Sequence, residues 1–147
     1  MRKRTKRKVV VPMNPISLAI EGAGITLQTK LDELRMRELA AIDAFSIGKG
    51  YIKAWYDLRT MIHVSREMAL NKVGPEALPA CDKALALLES TTMIHPETEV
   101  MFVPPETIDA VKEMFAFYDL QRQSVSRAAY ERFIAQALNR VRSQPKT

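Results

Sequence analysis

Apolar and small side chains recur at helical spacing between Tyr51 and Ala69, and this spacing constrains the fold more than any other feature. They follow a four-three-four-three-four pattern: Tyr51, Trp55, Leu58, Ile62, Ser65 and Ala69. Residues three and four apart share one face of an α-helix, whereas a half-buried strand needs strict alternation. The segment therefore predicts a long amphipathic helix with one face in a core.

The same periodicity recurs in the neighbouring segments, which are bounded by capping side chains, glycines or prolines. Asn14 and Pro15 can begin a short helix that Gly22 and Gly24 end. The sequence predicts an all-α fold: a single-domain helical bundle of four long helices and one short helix. The bundle should span residues 14–142, between a flexible, disordered basic arm at 1–13 and a disordered tail at 143–147.

The stretch between residues 91 and 105 is the one irregular region. Pro96, Pro104 and Pro105 forbid a continuous helix there. The letters EVMFV at 99–103 favour a brief extended stretch. A loop of this length is either functional or a plain connector, and the sequence leaves both open.

Glu38 interrupts the apolar stripe of the helix that follows Thr26 or Thr29. A carboxylate in such a place must be paired, hydrogen-bonded or at the edge of the packing. One interpretation is a buried acid with a raised pKa, which would suit a functional site. The favoured interpretation is an ion pair with an arginine of another helix.

No residue pattern indicates catalysis, a metal site or a cofactor. The chain has two histidines and one cysteine, in separate segments, whereas zinc needs three or four ligands. His63 is expected to be a half-buried structural residue, His95 a surface loop residue, and Cys81 a small buried hydrophobe. Neither a phosphate-binding glycine loop nor a GxSxG motif occurs. We predict a protein that is not an enzyme and has no cofactor.

Basic side chains concentrate at the two ends of the sequence. The net charge of +5 divides into six basic residues within 1–8, an acidic middle, and six basic residues against Glu131 within 122–147. Attraction to nucleic acid, DNA or RNA, must therefore be local to the ends. The predicted contacts are Arg2, Lys3, Arg4, Lys6, Arg7, Lys8, Arg122, Arg127, Arg132, Arg140 and Arg142.

The segment FAFYDLQRQSVSRAAYERFIAQALNR reads as helix, short turn and helix. It is loosely similar to a helix-turn-helix, with Ser124, Ser126, Arg127 and Arg132 near the start of the second helix. The usual turn glycine is missing, and Val125 alone can fill the apolar turn position. An ordinary αα-hairpin is the alternative.

Five stretches together resemble short, uncharacterised helical proteins of proteobacteria and their phages. They are MRKRTKRK, NPISLAIEGAG, LDELRMRELAAIDAF, GPEALPAC and DLQRQSVSRAAYE. The resemblance implies a phage or other mobile-element context, in which small helical proteins often regulate transcription or bind and disable a host system. It supplies no catalytic motif that could be placed on numbered residues.

Two binding functions follow, and an enzyme of unknown type ranks third. The chain either acts on nucleic acid through its basic ends, or its helical body binds a host protein, such as a defence complex or polymerase, as an inhibitor or adaptor. Apolar residues at Tyr51–Ala69 and at Phe115, Phe117 and Tyr118 predict a homodimer. The lone cysteine and the lack of a roughly 20-residue apolar run predict a cytoplasmic protein without a membrane partner.

Overall fold

The structure, a computed structural model, describes residues 27–143. These residues form five α-helices: α1 (Leu27–Ser46), α2 (Ile52–Leu70), α3 (Leu78–Thr91), α4 (Pro105–Gln123) and α5 (Arg127–Ser143). A single 3-10 turn, Pro75–Ala77, precedes α3. The all-α prediction is confirmed, with five helices within 27–143 where four long ones were expected. The predicted short helix after Asn14, the basic arm and the end of the tail lie outside the described residues.

Helix α2 is the centre of the bundle and packs against α1, α3, α4 and α5. The predicted stripe is buried at Leu58, Ile62 and Ala69, and Met61 and Val64 on other sides are buried as well. Burial therefore extends beyond the one predicted face, while Arg59 and Arg66 on α2 form ion pairs with Glu89 and Asp82 of α3.

The apolar surface that predicted a homodimer is used within one chain. Leu58, Phe115 and Tyr118 are buried, while Trp55 and Phe117 are half-buried against the core. Of the residues named for that surface, Tyr51 stays largely exposed. A dimer, if formed, therefore needs a different surface, and the homodimer itself stays a prediction.

The irregular region forms a small antiparallel hairpin. Strand β1 (Met93–Ile94) pairs with β2 (Met101–Phe102), so the expected extended stretch within 99–103 is confirmed. Gly50, in the turn between α1 and α2, adds a third strand position, since its N–H and C=O each bond Met101 at 2.9 Å. A Cβ at Gly50 would lie 2.3 Å from the Phe45 ring, which explains why glycine occupies this close approach.

Helix α2 also holds the hairpin through its tryptophan. The indole Nε1 of Trp55 donates to Thr92 Oγ1 at 3.0 Å, immediately before β1. The Trp55 ring meets Tyr56 edge to face, with centroids 5.4 Å apart. The hydrogen bond between Trp55 and Thr92 joins the start of α2 to the end of α3.

Gln121 joins α4 to the end of α2. Its Oε1 accepts a hydrogen bond from Ser65 Oγ at 2.6 Å, and its Nε2 donates to the carbonyl of Val73 at 2.9 Å. The Cys81 thiol donates to the same Ser65 hydroxyl at 3.2 Å. Cys81 is buried, as predicted, and burial raises the pKa of its thiol. The side chains of α2, α3 and α4 thus meet at one buried polar point.

Two glycines with left-handed backbone should respond differently to alanine. Gly74 has a φ of 62°, and an added Cβ would lie 2.9 Å from Gln121 Cγ. Gly48 has a φ of 74° with nothing within 4 Å. We expect Gly48→Ala to cost about 1 kcal/mol from backbone strain alone, and Gly74→Ala about 2–3 kcal/mol. Urea unfolding of both variants measures the difference, and equal losses would contradict it.

None of the helices within residues 27–143 combines the length with the apolar character that crossing a bilayer demands.

Candidate nucleic-acid interface

The turn between α4 and α5 is built by two serines with separate tasks. Ser124 Oγ donates to the carbonyl of Gln121 at 2.8 Å and so closes α4. Ser126 Oγ accepts from the N–H of Ala129 at 3.1 Å, which is an N-cap of α5. Ser126, and not Ser124, therefore caps the start of α5. Val125 between them packs against the core, as the helix-turn-helix interpretation expected.

One side of α5 is buried against the bundle. Tyr130, Phe133, Ile134 and Ala137 are buried, and Leu138 packs partly against the core. The helix packs chiefly on α2. These residues recur at helical spacing, so the orientation of α5 is fixed by apolar burial.

The opposite side of α5 forms a continuous exposed stripe, which we call the α5 outer face. It is made of Ala128, Arg132, Ala135, Asn139 and Arg142, and each of these residues is exposed. Their four-three-four-three spacing places them in one row along the helix. Within residues 27–143, neither Arg132 nor Arg142 takes part in an ion pair, so both guanidinium groups face solvent unneutralised.

The two other arginines of α5 flank this face and have carboxylate partners. Arg127 lies 4.0 Å from Glu131 one turn later, with both side chains well exposed. Arg140 makes a two-pronged contact with Glu67 of α2, at 2.8 and 2.9 Å, and this contact raises the pKa of Arg140. The Arg127–Glu131 pair is exposed and adds little stability, so Arg127 remains accessible to a polyanion. Arg140 is half exposed but is held against a carboxylate that is 5% exposed, so it is less free to move to another anion.

A shallow polar groove lies beside the α5 outer face, between the ends of α2 and α5. Its volume is about 560 Å³. Its lining residues are Glu67, Leu70, Asn71, Gln136, Asn139, Arg140 and Ser143. Amide and guanidinium groups dominate the lining, which suits hydrogen bonding to polar ligands rather than burial of apolar ones.

Arg122 occupies a different environment from the other predicted contacts. Its side chain is 9% exposed, and its guanidinium lies 3.0 Å from Glu38 Oε1 and 3.0 Å from Asp119 Oδ1. The same group stacks over the Tyr118 ring, 4.5 Å from its centroid. A guanidinium neutralised by two carboxylates inside the bundle is poorly placed to meet phosphate, and the interface proposed below does not use it.

Glu38 is the centre of this buried network. Its favoured interpretation, an ion pair with an arginine of another helix, is confirmed by the contact with Arg122. Burial also raises the pKa of the Glu38 carboxyl above its ordinary value, against the opposing effect of Arg122. Tyr118 donates to Glu38 Oε2 at 3.1 Å, and its hydroxyl meets that of Tyr130 at 2.7 Å.

The network extends to the surface through Asp119. Arg35 of α1 binds this carboxylate with 2.7 Å between Nη2 and Oδ2, and the hydrogen bond from Arg35 lowers the pKa of Asp119. The Glu38 carboxyl and the Tyr118 ring are almost fully enclosed by protein. Substrates would reach them only if the helices parted, so the network is suited to joining α1, α4 and α5 rather than to catalysis.

The remaining candidate residues are dispersed. His63 is 5% exposed and so more buried than predicted, and its Nε2 has no hydrogen-bond partner within the described part of the chain. His95 is exposed at the end of β1, as expected for a loop residue. Within 27–143, no group of three or more His, Cys, Asp or Glu side chains could hold a metal ion.

Sequence reasoning named Arg132 and Arg142 but missed their shared row with Ala128, Ala135 and Asn139. The signal was present, because these five positions lie opposite the buried side chains of the same helix. The predicted contacts Arg2, Lys3, Arg4, Lys6, Arg7 and Lys8 lie outside the described residues. The structure therefore bears on the C-terminal half of the predicted site.

No protein-family model, curated protein or solved structure matches this chain. The resemblance to short phage and proteobacterial proteins accordingly stays a prediction. The helix-turn-helix interpretation of α4 and α5 stays a prediction as well.

Proposed function

We propose that this chain binds nucleic acid through the α5 outer face, with the basic run at residues 2–8 as a second contact. The observation that carries the proposal is the pairing of two unneutralised guanidinium groups with small side chains on one exposed row. Arg132 and Arg142 are ten residues apart, about 15 Å along the helix axis. This separation exceeds the roughly 12 Å width of the DNA major groove, so the two groups can reach phosphates on its opposite sides.

The other side chains of the α5 outer face suit close approach to bases. Ala128 and Ala135 leave room for the helix to enter a groove, and Asn139 carries an amide that can pair with an adenine edge. Phosphate contacts would set the position, while an amide contact would add preference for sequence. Within residues 27–126, acidic side chains outnumber basic ones by 15 to 11, which favours docking by this face over the other described surfaces.

Removing the two unpaired charges should weaken binding. We expect Arg132→Ala/Arg142→Ala to raise the Kd for a 20-base-pair duplex roughly tenfold to a hundredfold at about 100 mM salt. The slope of log affinity against log salt should fall in magnitude by about 2. Fluorescence anisotropy with labelled duplex and labelled single-stranded RNA, across a salt series, measures both quantities and separates DNA from RNA.

The matched control removes the same charge elsewhere. Lys83 on α3 and Lys112 on α4 are both exposed. The variant Lys83→Ala/Lys112→Ala should therefore retain the wild-type slope. Equal weakening in both double variants would mean that net charge alone attracts the polyanion. Lack of binding by the wild type at about 50 mM salt would refute the proposal.

A host protein bound by the helical body, in a phage or mobile-element setting, is the alternative. Deleting residues 1–8 separates the two, because it removes six basic side chains. If the run contacts duplex phosphates, the salt slope should lose about 5 units. Retention of a host protein by the shortened chain, with no nucleic-acid binding by either form, would favour the alternative.

A further inference from the structure

The small sheet at the α1–α2 end has an inner and an outer face. Met101 is buried, and a Cβ at Gly50 would meet the core residue Phe45, so these two positions define the inner face. Cross-strand partners share a face, and successive residues alternate between faces. Met93 and its partner Phe102 are therefore on the outer face.

The pairing of Gly50 with Met101 places Lys49 beside Phe102 and Tyr51 beside Val100, so both neighbours of Gly50 belong to the outer face. His95 donates its N–H to Val100 at 2.8 Å, which continues the β1–β2 ladder. Tyr51 has an extended backbone, with φ −147° and ψ 164°, and follows Gly50 directly. We call the resulting surface the outer sheet face: Lys49, Tyr51, Met93, His95, Val100 and Phe102.

This face exposes large apolar side chains in one place. Tyr51 is 49%, Met93 57% and Phe102 39% exposed. Ile47 and Ile52, which flank this face in the sequence at the same end of the bundle, are more than half exposed. Since a large side chain presents on the order of 200 Å² when free, these five residues together expose on the order of 500 Å². Patches of this size on a small domain often mark a contact surface.

Charges at opposite corners make the face complementary to itself. Lys49 lies beside Phe102 at one corner, whereas Glu97 and Glu99 lie in the hairpin turn beyond His95, at the diagonally opposite corner. A two-fold axis across this diagonal would place each Lys49 opposite the acidic turn of a second copy. Both contacts would then form twice, as an isologous interface requires.

We infer that the outer sheet face is the contact between two copies of this chain. The apolar centre supplies the attraction, and the corner charges fix the orientation of the copies. An area on the order of 500 Å² per copy is below the roughly 800 Å² of a standard interface. The dimer is therefore expected to be weak, with a Kd of about 10–100 µM.

Sedimentation equilibrium of the full chain between about 1 and 300 µM tests this contact. Phe102→Glu places a charge at the centre of the face and should raise the Kd at least tenfold. Leu120→Glu is the matched control, because Leu120 is 66% exposed on α4, on another part of the surface. It should leave the Kd unchanged. A chain that stays monomeric up to the highest concentration, or equal effects of both variants, would overturn the inference.

Charge exchange gives a readout that misfolding cannot imitate. Lys49→Glu and Glu97→Lys/Glu99→Lys should each weaken self-association, because each sets like charges against one another across the two-fold axis. An equimolar mixture of the two variants should associate about as tightly as the wild type, since opposite charges then meet at both corners. A mixture no tighter than either variant alone would contradict the proposed orientation and the contact with it.

Discussion

Replacing Arg122 with methionine should lower the free energy of unfolding by about 3–5 kcal/mol. The change leaves the Glu38 carboxylate, which is 3% exposed, with the Tyr118 hydroxyl as its remaining described partner. A buried charge without its counter-charge keeps the desolvation cost and loses the attraction that offset it. Urea unfolding at pH 7, followed by circular dichroism, measures the loss.

The loss should depend on pH in a direction that identifies its cause. Burial already raises the pKa of Glu38, and Arg122 opposes that rise, so removing Arg122 raises the pKa further. A folded pKa above the unfolded one favours the fold at low pH, and this benefit disappears as pH rises through the folded pKa. The Arg122→Met variant should therefore be closer to the wild type at pH 5 than at pH 8.

The double variant Glu38→Leu/Arg122→Met is the control. Removing both charges from the interior should recover most of the stability that the single change costs, since an apolar pair of similar volume carries no desolvation penalty. Losses that add across Glu38→Leu and Arg122→Met would mean that the two groups do not depend on each other. A loss below about 1 kcal/mol in Arg122→Met would contradict the buried pair.

Lowering the pH from 7 to 4 should destabilise the fold by up to about 3 kcal/mol through His63 alone. Burial, helped by Arg59 and Arg66 and opposed by Glu89 and Glu67, lowers the pKa of His63 from 6.5 to about 4. Between those two pH values the unfolded chain binds a proton at this site and the folded chain does not. Stability therefore falls as pH drops below about 6.5 and levels off near 4.

Comparison with His63→Leu isolates this effect from the other titrating groups. Asp57 is buried and titrates with a raised pKa, and Asp119 with a lowered one, and both contribute to the pH dependence of the wild type. These contributions cancel in the difference between the two proteins. The wild type should lose up to about 3 kcal/mol more than His63→Leu between pH 7 and pH 4. Parallel pH curves would refute a neutral buried His63.

Much of the fold follows from local pattern. The helix boundaries, the inward side of α5 and the burial of Cys81 were predictable because apolar periodicity and capping residues act within a few turns of chain. The structure has five long helices within residues 27–143 where four were predicted, although the same apolar periodicity is present in all five segments. Gly48 and Gly74 each follow the end of a helix, where the backbone is left-handed, as glycines in a sequence often indicate.

Contacts between residues far apart in the sequence were harder to predict. The sequence required a partner for Glu38 but could not choose Arg122, which lies 84 residues away. Gly50 looked like a helix terminator, and its pairing with Met101 depends on how α1, α2 and the hairpin meet. The burial of Tyr118 was missed for the same reason, since it depends on the packing of α4 against α1, α2 and α3. The homodimer stays a prediction.

The hydrogen bond between Trp55 and Thr92 provides an intrinsic spectroscopic probe. The chain has one tryptophan, and that indole joins the central helix to the hairpin next to the outer sheet face. Its fluorescence will therefore report the opening of the bundle without an added label. A change in its emission on self-association, at constant circular dichroism, would separate docking at that end from unfolding.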